Sequence, residues 1–170
     1  EALVAYRKAI EAQPNYLPAH LSVLTLLLQQ GKLDEAGQQL EQLKKAAPNA
    51  WATKYYEALL AYQKKDFKLA QTLTQQLVLL APDNFRGQQL AGEAALANNA
   101  PAQAVGPLTE AVRLANARYN AGTGTQLDVL SAQVDLTTAR TNQIQAYYGY
   151  NVAVAALRKA TGQPDEVAAP

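Results

Sequence analysis

A single histidine, His20, and the absence of cysteine leave this chain little with which to bind a metal or attack a substrate. Zinc sites draw several ligands from Cys, His and carboxylates, and a thiolate nucleophile needs a cysteine. Asp34 and Glu35 could suggest paired acids, but they stand at a turn leading into a helix, where negative charge favours the helix dipole. Ser, His and Asp fall into no nucleophile motif. Gly122-Thr123-Gly124 lacks both the preceding strand and the following lysine of a phosphate loop. The sequence therefore predicts no catalytic, cofactor or metal site, and the chain reads as non-enzymatic.

The composition says what holds the remaining side chains. Fifteen Lys and Arg stand against fourteen Asp and Glu, a net charge of +1, so there is no basic footprint for displacing counterions from nucleic acid. Among 170 residues, 34 are Ala and 18 are Gln against nine Gly, the composition of packed helices. The nearest apolar window, Leu21 to Leu28, is far short of the roughly 18 residues that a membrane helix requires. No membrane span is expected in this chain. It opens at Glu1 with neither methionine nor a basic-then-apolar leader, which reads as an excised or processed piece.

Repetition decides the elements. Pro14, Pro48 and Pro82 recur at a step of 34, as do Ala2, Ala36, Ala70 and Ala104, and the apolar series Ala9, Leu43, Leu77 and Ala111. Each proline opens a short polar break that stops a helix. Midway between prolines, Gln30-Gly31-Lys32 and Lys64-Lys65-Asp66 make tight turns into second helices. Each unit is thus a helical hairpin. The predicted helices cover Glu1–Gln13, Leu17–Gln30, Leu33–Ala47, Trp51–Lys64 and Phe67–Ala81. A third full unit starts at Phe85, and its second helix opens near Ala102, after Pro101 at a favoured first-turn position.

This pattern resembles the tetratricopeptide repeat family, with Ala36, Ala70 and Ala104 at its small residue of the second helix and Gly92 at that of the first. A methyl group or less lets paired helices approach to about 8–10 Å. The resemblance implies a solenoid whose first helices build a concave, peptide-binding face. Helical phase places Leu21, Thr25, Leu28, Tyr55, Leu59, Tyr62, Gln89, Glu93 and Leu96 there. Leu21, Leu28 and Leu59 read as core before groove, whereas Tyr55, Tyr62 and Gln89 suit a half-wet surface. Tyr55, Leu59, Tyr62, Gln89 and Glu93 are the candidate partner-binding groove. No basic carboxylate clamp is evident in it. His20, early in a first helix, reads as a structural side chain.

At residue 116, where the next proline is due, Asn116 stands instead. From Glu110 to Gln133 the text, with Ala121-Gly-Thr-Gly-Thr125-Gln-Leu-Asp128 at its centre, resembles the carboxyl-terminal part of TolC-type outer membrane efflux proteins. The likeness continues through Tyr150-Asn151-Val152-Ala153-Val154 to Gly162. It implies a long coiled-coil hairpin with a periplasmic tip: Tyr119 and Asp128 at gating positions, Ala121 to Thr125 on the adaptor-facing turn. Gly124 and Ser131 stand where some members carry charged gate residues. Independently of any family, Gly122 and Gly124 permit positive φ, and Thr125 can cap the next helix at the Asp128 amide. Tyr119, Gly122, Thr123, Gly124, Thr125 and Asp128 are the candidate hairpin tip.

No proline interrupts the last helix before Pro164. At 1.5 Å per residue it spans about 52 Å against about 28 Å for its partner, so nearly half must overhang. The overhang carries Tyr147, Tyr148, Tyr150, Val152, Val154 and Leu157. It packs against the repeats, or another chain covers it, or it bends near Gly149.

The sequence thus predicts an all-α chain: a tetratricopeptide-like solenoid of about three units over 1–109, the first truncated, continuing into a long antiparallel helical hairpin over 110–162, and a flexible tail at 163–170. Its expected role is a protein–protein interaction scaffold of a bacterial envelope export or assembly system, periplasmic or outer-membrane-associated by resemblance. Protein or peptide partners are expected, with self-association through the long C-terminal helix, and neither nucleic acid nor a cofactor. Two alternatives stand beside it: a fragment of an efflux channel, and an artificial junction of two families near residues 100–110.

Overall fold

The computed structural model describes residues 1–162; the tail expected at 163–170 lies outside them. The described residues form eight helices and no strand: α1 (Ala2–Ala12), α2 (Leu17–Gln29), α3 (Leu33–Ala46), α4 (Trp51–Gln63), α5 (Phe67–Leu80), α6 (Phe85–Ala97), α7 (Pro101–Asn120) and α8 (Gln126–Thr161). Each helix packs on the next, α2 also touches α4, α4 touches α6 and α6 touches α8. That order is a solenoid of antiparallel pairs.

The step of 34 has a packing cause. Ala36, Ala70 and Ala104 are fully buried, as are Leu43, Leu77 and Ala111 one turn pair later. On α6, a Cβ added at Gly92 would lie 2.2 Å from Leu108 Cγ, so only glycine lets α6 and α7 meet there. Each loop is also tied to the helix it feeds, by a side chain reaching six residues back. His20 Nε2 donates to the Pro14 carbonyl at 2.7 Å, Thr53 Oγ1 to Ala47 at 2.6 Å, and Gln88 Nε2 to Pro82 at 2.8 Å. A carbonyl only accepts, so the His20 proton sits on Nε2, and Nδ1 accepts from Gln39 Nε2 at 2.8 Å. His20 is 1% exposed and belongs to this scaffolding.

Pro101 starts α7, where its missing amide costs nothing. α7 then runs 20 residues, straight through positions 109 and 110 and past the place where earlier second helices stop. α8 folds back along it. Val129, Ala132, Leu136 and Ala139 form the buried seam of α8; Val129 and Ala132 join Ala111 and Leu114, and Leu136 and Ala139 join Ala104 and Leu108. Beyond Ala139 the helix continues unbroken through Gly149 to Thr161 and leaves the body behind. Ile144 is 68% and Tyr148 72% exposed. Of the three outcomes expected for the overhang, α8 shows no break at Gly149, and Tyr147, Tyr148, Tyr150, Val152 and Leu157 stay exposed rather than buried on the repeats.

Candidate functional site

The concave face is built from first helices, and α8 takes the place of a further one. Tyr55 and Leu59 of α4, Arg86, Gln89 and Glu93 of α6, and Asp128 of α8 line a depression of about 210 Å³, with Phe85 and Leu90 at its base. Tyr55, Leu59, Tyr62, Gln89 and Glu93 are all half-buried, whereas Leu28 lies in the core and Thr25 is tied to Tyr56 by a 2.6 Å hydroxyl pair. Tyr55 packs edge-on against Trp51 and Tyr56. Gln89 is the link between helices: its amide donates to Ser131 Oγ and to Asp135 Oδ2, each at 3.4 Å.

Charge in this face is uneven. Burial pushes the Glu93 carboxyl up to about 7, the neighbouring Asp135 adds to the rise, and the Gln89 amide opposes it. Burial likewise raises the Tyr62 hydroxyl, with Glu93 and Asp135 contributing. Tyr55 is raised by burial against the pull of Arg86. Among the described residues neither Glu93 nor Asp135 forms an ion pair. Sequence reading placed Glu93 here but missed Asp135 and Ser131, which reach the face only because α8 packs beside α6.

The tip residues come together at the far end of the α7–α8 hairpin. The Thr123 and Gly124 amides both donate to the Arg118 carbonyl, at 2.9 and 3.0 Å, and Gly122 closes the turn at φ 70°. A Cβ on Gly124 would stand 2.9 Å from that of Arg118, so the chain passes too close for a side chain. The Asp128 amide donates to Thr125 Oγ1 at 3.1 Å and the Thr125 amide to Asp128 Oδ2 at 3.0 Å, a reciprocal capping box. Those bonds to Thr125 hold the Asp128 carboxyl below its ordinary range. Tyr119 is half exposed, and Arg118 stacks 5.2 Å above Phe85, tying the base of the tip to α6. The groove and tip thus share α6 and α8 rather than lying apart.

Residues 1–61 match the tetratricopeptide repeat family, and residues 84–163 match the outer membrane efflux protein family. Two separate segments of the chain are thus similar to two families, and neither match covers half of it. The efflux match begins at Asn84, the cap of α6, and so takes in the whole third helical pair upstream of Glu110 where the sequence likeness is read. Among solved structures, the tetratricopeptide-type solenoid is similar to YrrB, described as a TPR protein with an unusual peptide-binding site, at 20% identity and TM-score 0.58 over 91% of this chain and 84% of that one. It is also similar to MamA 41-end from Desulfovibrio magneticus RS-1, at 17% identity and TM-score 0.57 over 84% of each chain. A second MamA crystal structure aligns at 13% identity and TM-score 0.55, over 86% of this chain and 89% of that one. These likenesses establish the fold. No curated protein matches. No helix among the described residues is long and apolar enough to cross a membrane.

Proposed function

We propose that this chain is a non-catalytic scaffold that seats an extended segment of a protein partner in the face shared by α4, α6 and α8, and meets a second protein at the Gly-Thr-Gly tip. The observation that carries the reading is the depression flanked by Tyr55 and Glu93 and closed by Asp128 of α8, because it makes repeat and hairpin into one surface. Tyr55 and Leu59 offer apolar edges for a peptide, and Gln89 offers an amide that can bond a peptide backbone. Glu93 and Asp135, held without a cation, favour a partner with a Lys or Arg side chain. A peptide array read by fluorescence polarisation tests this. Basic peptides should bind and acidic ones not, and Tyr55→Ala and Glu93→Gln should each weaken binding about tenfold or more; equal binding to wild type and both variants would refute the groove.

The efflux match supports work in a bacterial envelope export or assembly system, with a periplasmic or outer-membrane-associated location. Peptide binding by the similar YrrB structure supports the groove reading. Self-association through the exposed half of α8 belongs to the same proposal. The efflux match also favours a second reading, in which the hairpin is a piece of an export duct. Dye efflux from vesicles reconstituted with this chain, abolished by Gly122→Pro, would favour the duct; peptide binding without efflux favours the scaffold.

A further inference from the structure

The seam that joins α8 to α7 does not stop where α7 stops. On α8, Ala132, Ala139, Ala146, Ala153 and Ala160 recur at steps of seven, and Val129, Leu136, Gln143, Tyr150 and Leu157 interleave with them at the same step. Together they alternate by three and four residues, the spacing of a stripe that keeps facing one partner helix. Its first four members are buried against α7. Gln143, Ala146 and Tyr150 have only the first turn of α7 near them, and Ala153, Leu157 and Ala160 are exposed, because the chain turns away at Asn98–Ala100. The exposed part, about 18 residues, is roughly 27 Å long.

We propose that this free half of α8 pairs with the same segment of a second copy, antiparallel, about a two-fold axis between Asn151 and Val152. The proposal deepens the self-association above by fixing its direction and register. Packing within the chain supplies the rule. Where α7 lies antiparallel to α8, each buried cluster mixes large and small residues from both helices: Leu114 and Ala111 with Val129 and Ala132, and Leu108 and Ala104 with Leu136 and Ala139. The two-fold arrangement repeats that rule in every layer, setting Gln143 opposite the partner's Ala160, Ala146 opposite the partner's Leu157, and Tyr150 opposite the partner's Ala153. A parallel pair would set alanine on alanine and Tyr150 on its own copy, leaving voids beside clashes.

Two further features select the same arrangement. Gln143, Ala146, Tyr147 and Tyr150 border a mostly apolar notch of about 660 Å³ whose floor is Pro101 and Ala102. The partner's Leu157, opposite Ala146, enters that notch. Charge agrees: after Asp135 the described part of α8 carries Arg140, Arg158 and Lys159 and no carboxylate. Antiparallel pairing brings Arg158 and Lys159 opposite Gln145 and Ile144, whereas parallel pairing stacks them on themselves. Two strips about 27 Å by 10 Å, closing on each other, cover a footprint of about 540 Å², the size of a weak, concentration-dependent contact.

Because the chain has no cysteine, introduced thiols report register directly. Ala146→Cys and Leu157→Cys chains should each resist oxidation alone and form a mixed disulfide dimer when combined. Homodimeric disulfides in the separate samples would overturn the antiparallel register while leaving self-association standing. Sedimentation of the wild-type chain should give twice the monomer mass; a monomer at about 100 µM would overturn self-association itself. Ala153→Arg should weaken the dimer at least tenfold with unchanged helical circular dichroism, while Tyr148→Ser, off the seam, leaves it intact. Neither readout uses the groove, so peptide binding stands or falls separately.

Discussion

Replacing Glu93 with Gln tests the electrostatics of the concave face most directly. Burial first and Asp135 second raise this carboxyl from 4.5 to about 7, while Tyr62 and Tyr55 of α4 face it without charge and Arg86 lies on its own helix. Between those two values the folded chain holds a proton that the unfolded chain releases, so stability falls as pH rises through the window. The separation, about 7 against 4.5, corresponds at about 1.4 kcal/mol per unit to on the order of 3 kcal/mol lost by pH 8. Glu93→Gln keeps the shape and removes the titration. Urea denaturation at pH 5, half a unit above the unfolded value, and at pH 8 should therefore show the wild type losing about 2.5 kcal/mol more than the variant, with the variant the more stable at pH 8. Parallel pH dependence in the two proteins, or a Glu93 titration by carbon-detected NMR near 4.5, would refute the reasoning.

Three other outcomes follow from the packing. Gly92→Ala should destabilise by about 2 kcal/mol or more, read as a lower Cm, because its Cβ would collide with Leu108; trimming Leu108 to Val in the same chain should recover part of the loss. Thr125→Ala should cost about 1 kcal/mol in thermal denaturation through loss of the α8 cap. The Asp128 half of that box is donated by the Thr125 backbone amide, which alanine keeps; with its pKa held low it contributes above pH 3.8 and is lost as pH falls through its folded pKa, so both proteins should lose stability in acid and keep most of their difference. His20→Ala should destabilise by about 3 kcal/mol, since it empties a fully buried volume and leaves the Pro14 carbonyl and the Gln39 amide without their partner.

The helices were legible because their signals are local. Prolines at a fixed step, Pro101 at a first turn, glycine at positive φ and the Thr125–Asp128 pair each act within a few residues, and the observed bounds lie within about a residue of those expected. The groove was legible only in part. Tyr55 and Gln89 follow from helical phase on first helices, but Asp135 and Ser131 enter through a contact between helices more than forty residues apart. The step of seven from Ala132 to Ala160 was the available signal that α8 behaves as a packing helix throughout. Likewise, Gln39 lies 19 residues from the imidazole it bonds, and no spacing rule pairs them.

α8 is one uninterrupted rod from the wall of the groove to the free seam. In the antiparallel dimer, Ser131 stands about 31 Å from the two-fold along that rod, so the two grooves open about 60 Å apart on a rigid spacer. A ligand presenting two basic segments at that interval would gain effective concentration at its second contact, and one presenting them closer together would not. The protruding helix thereby acts as a ruler for the spacing of what it gathers.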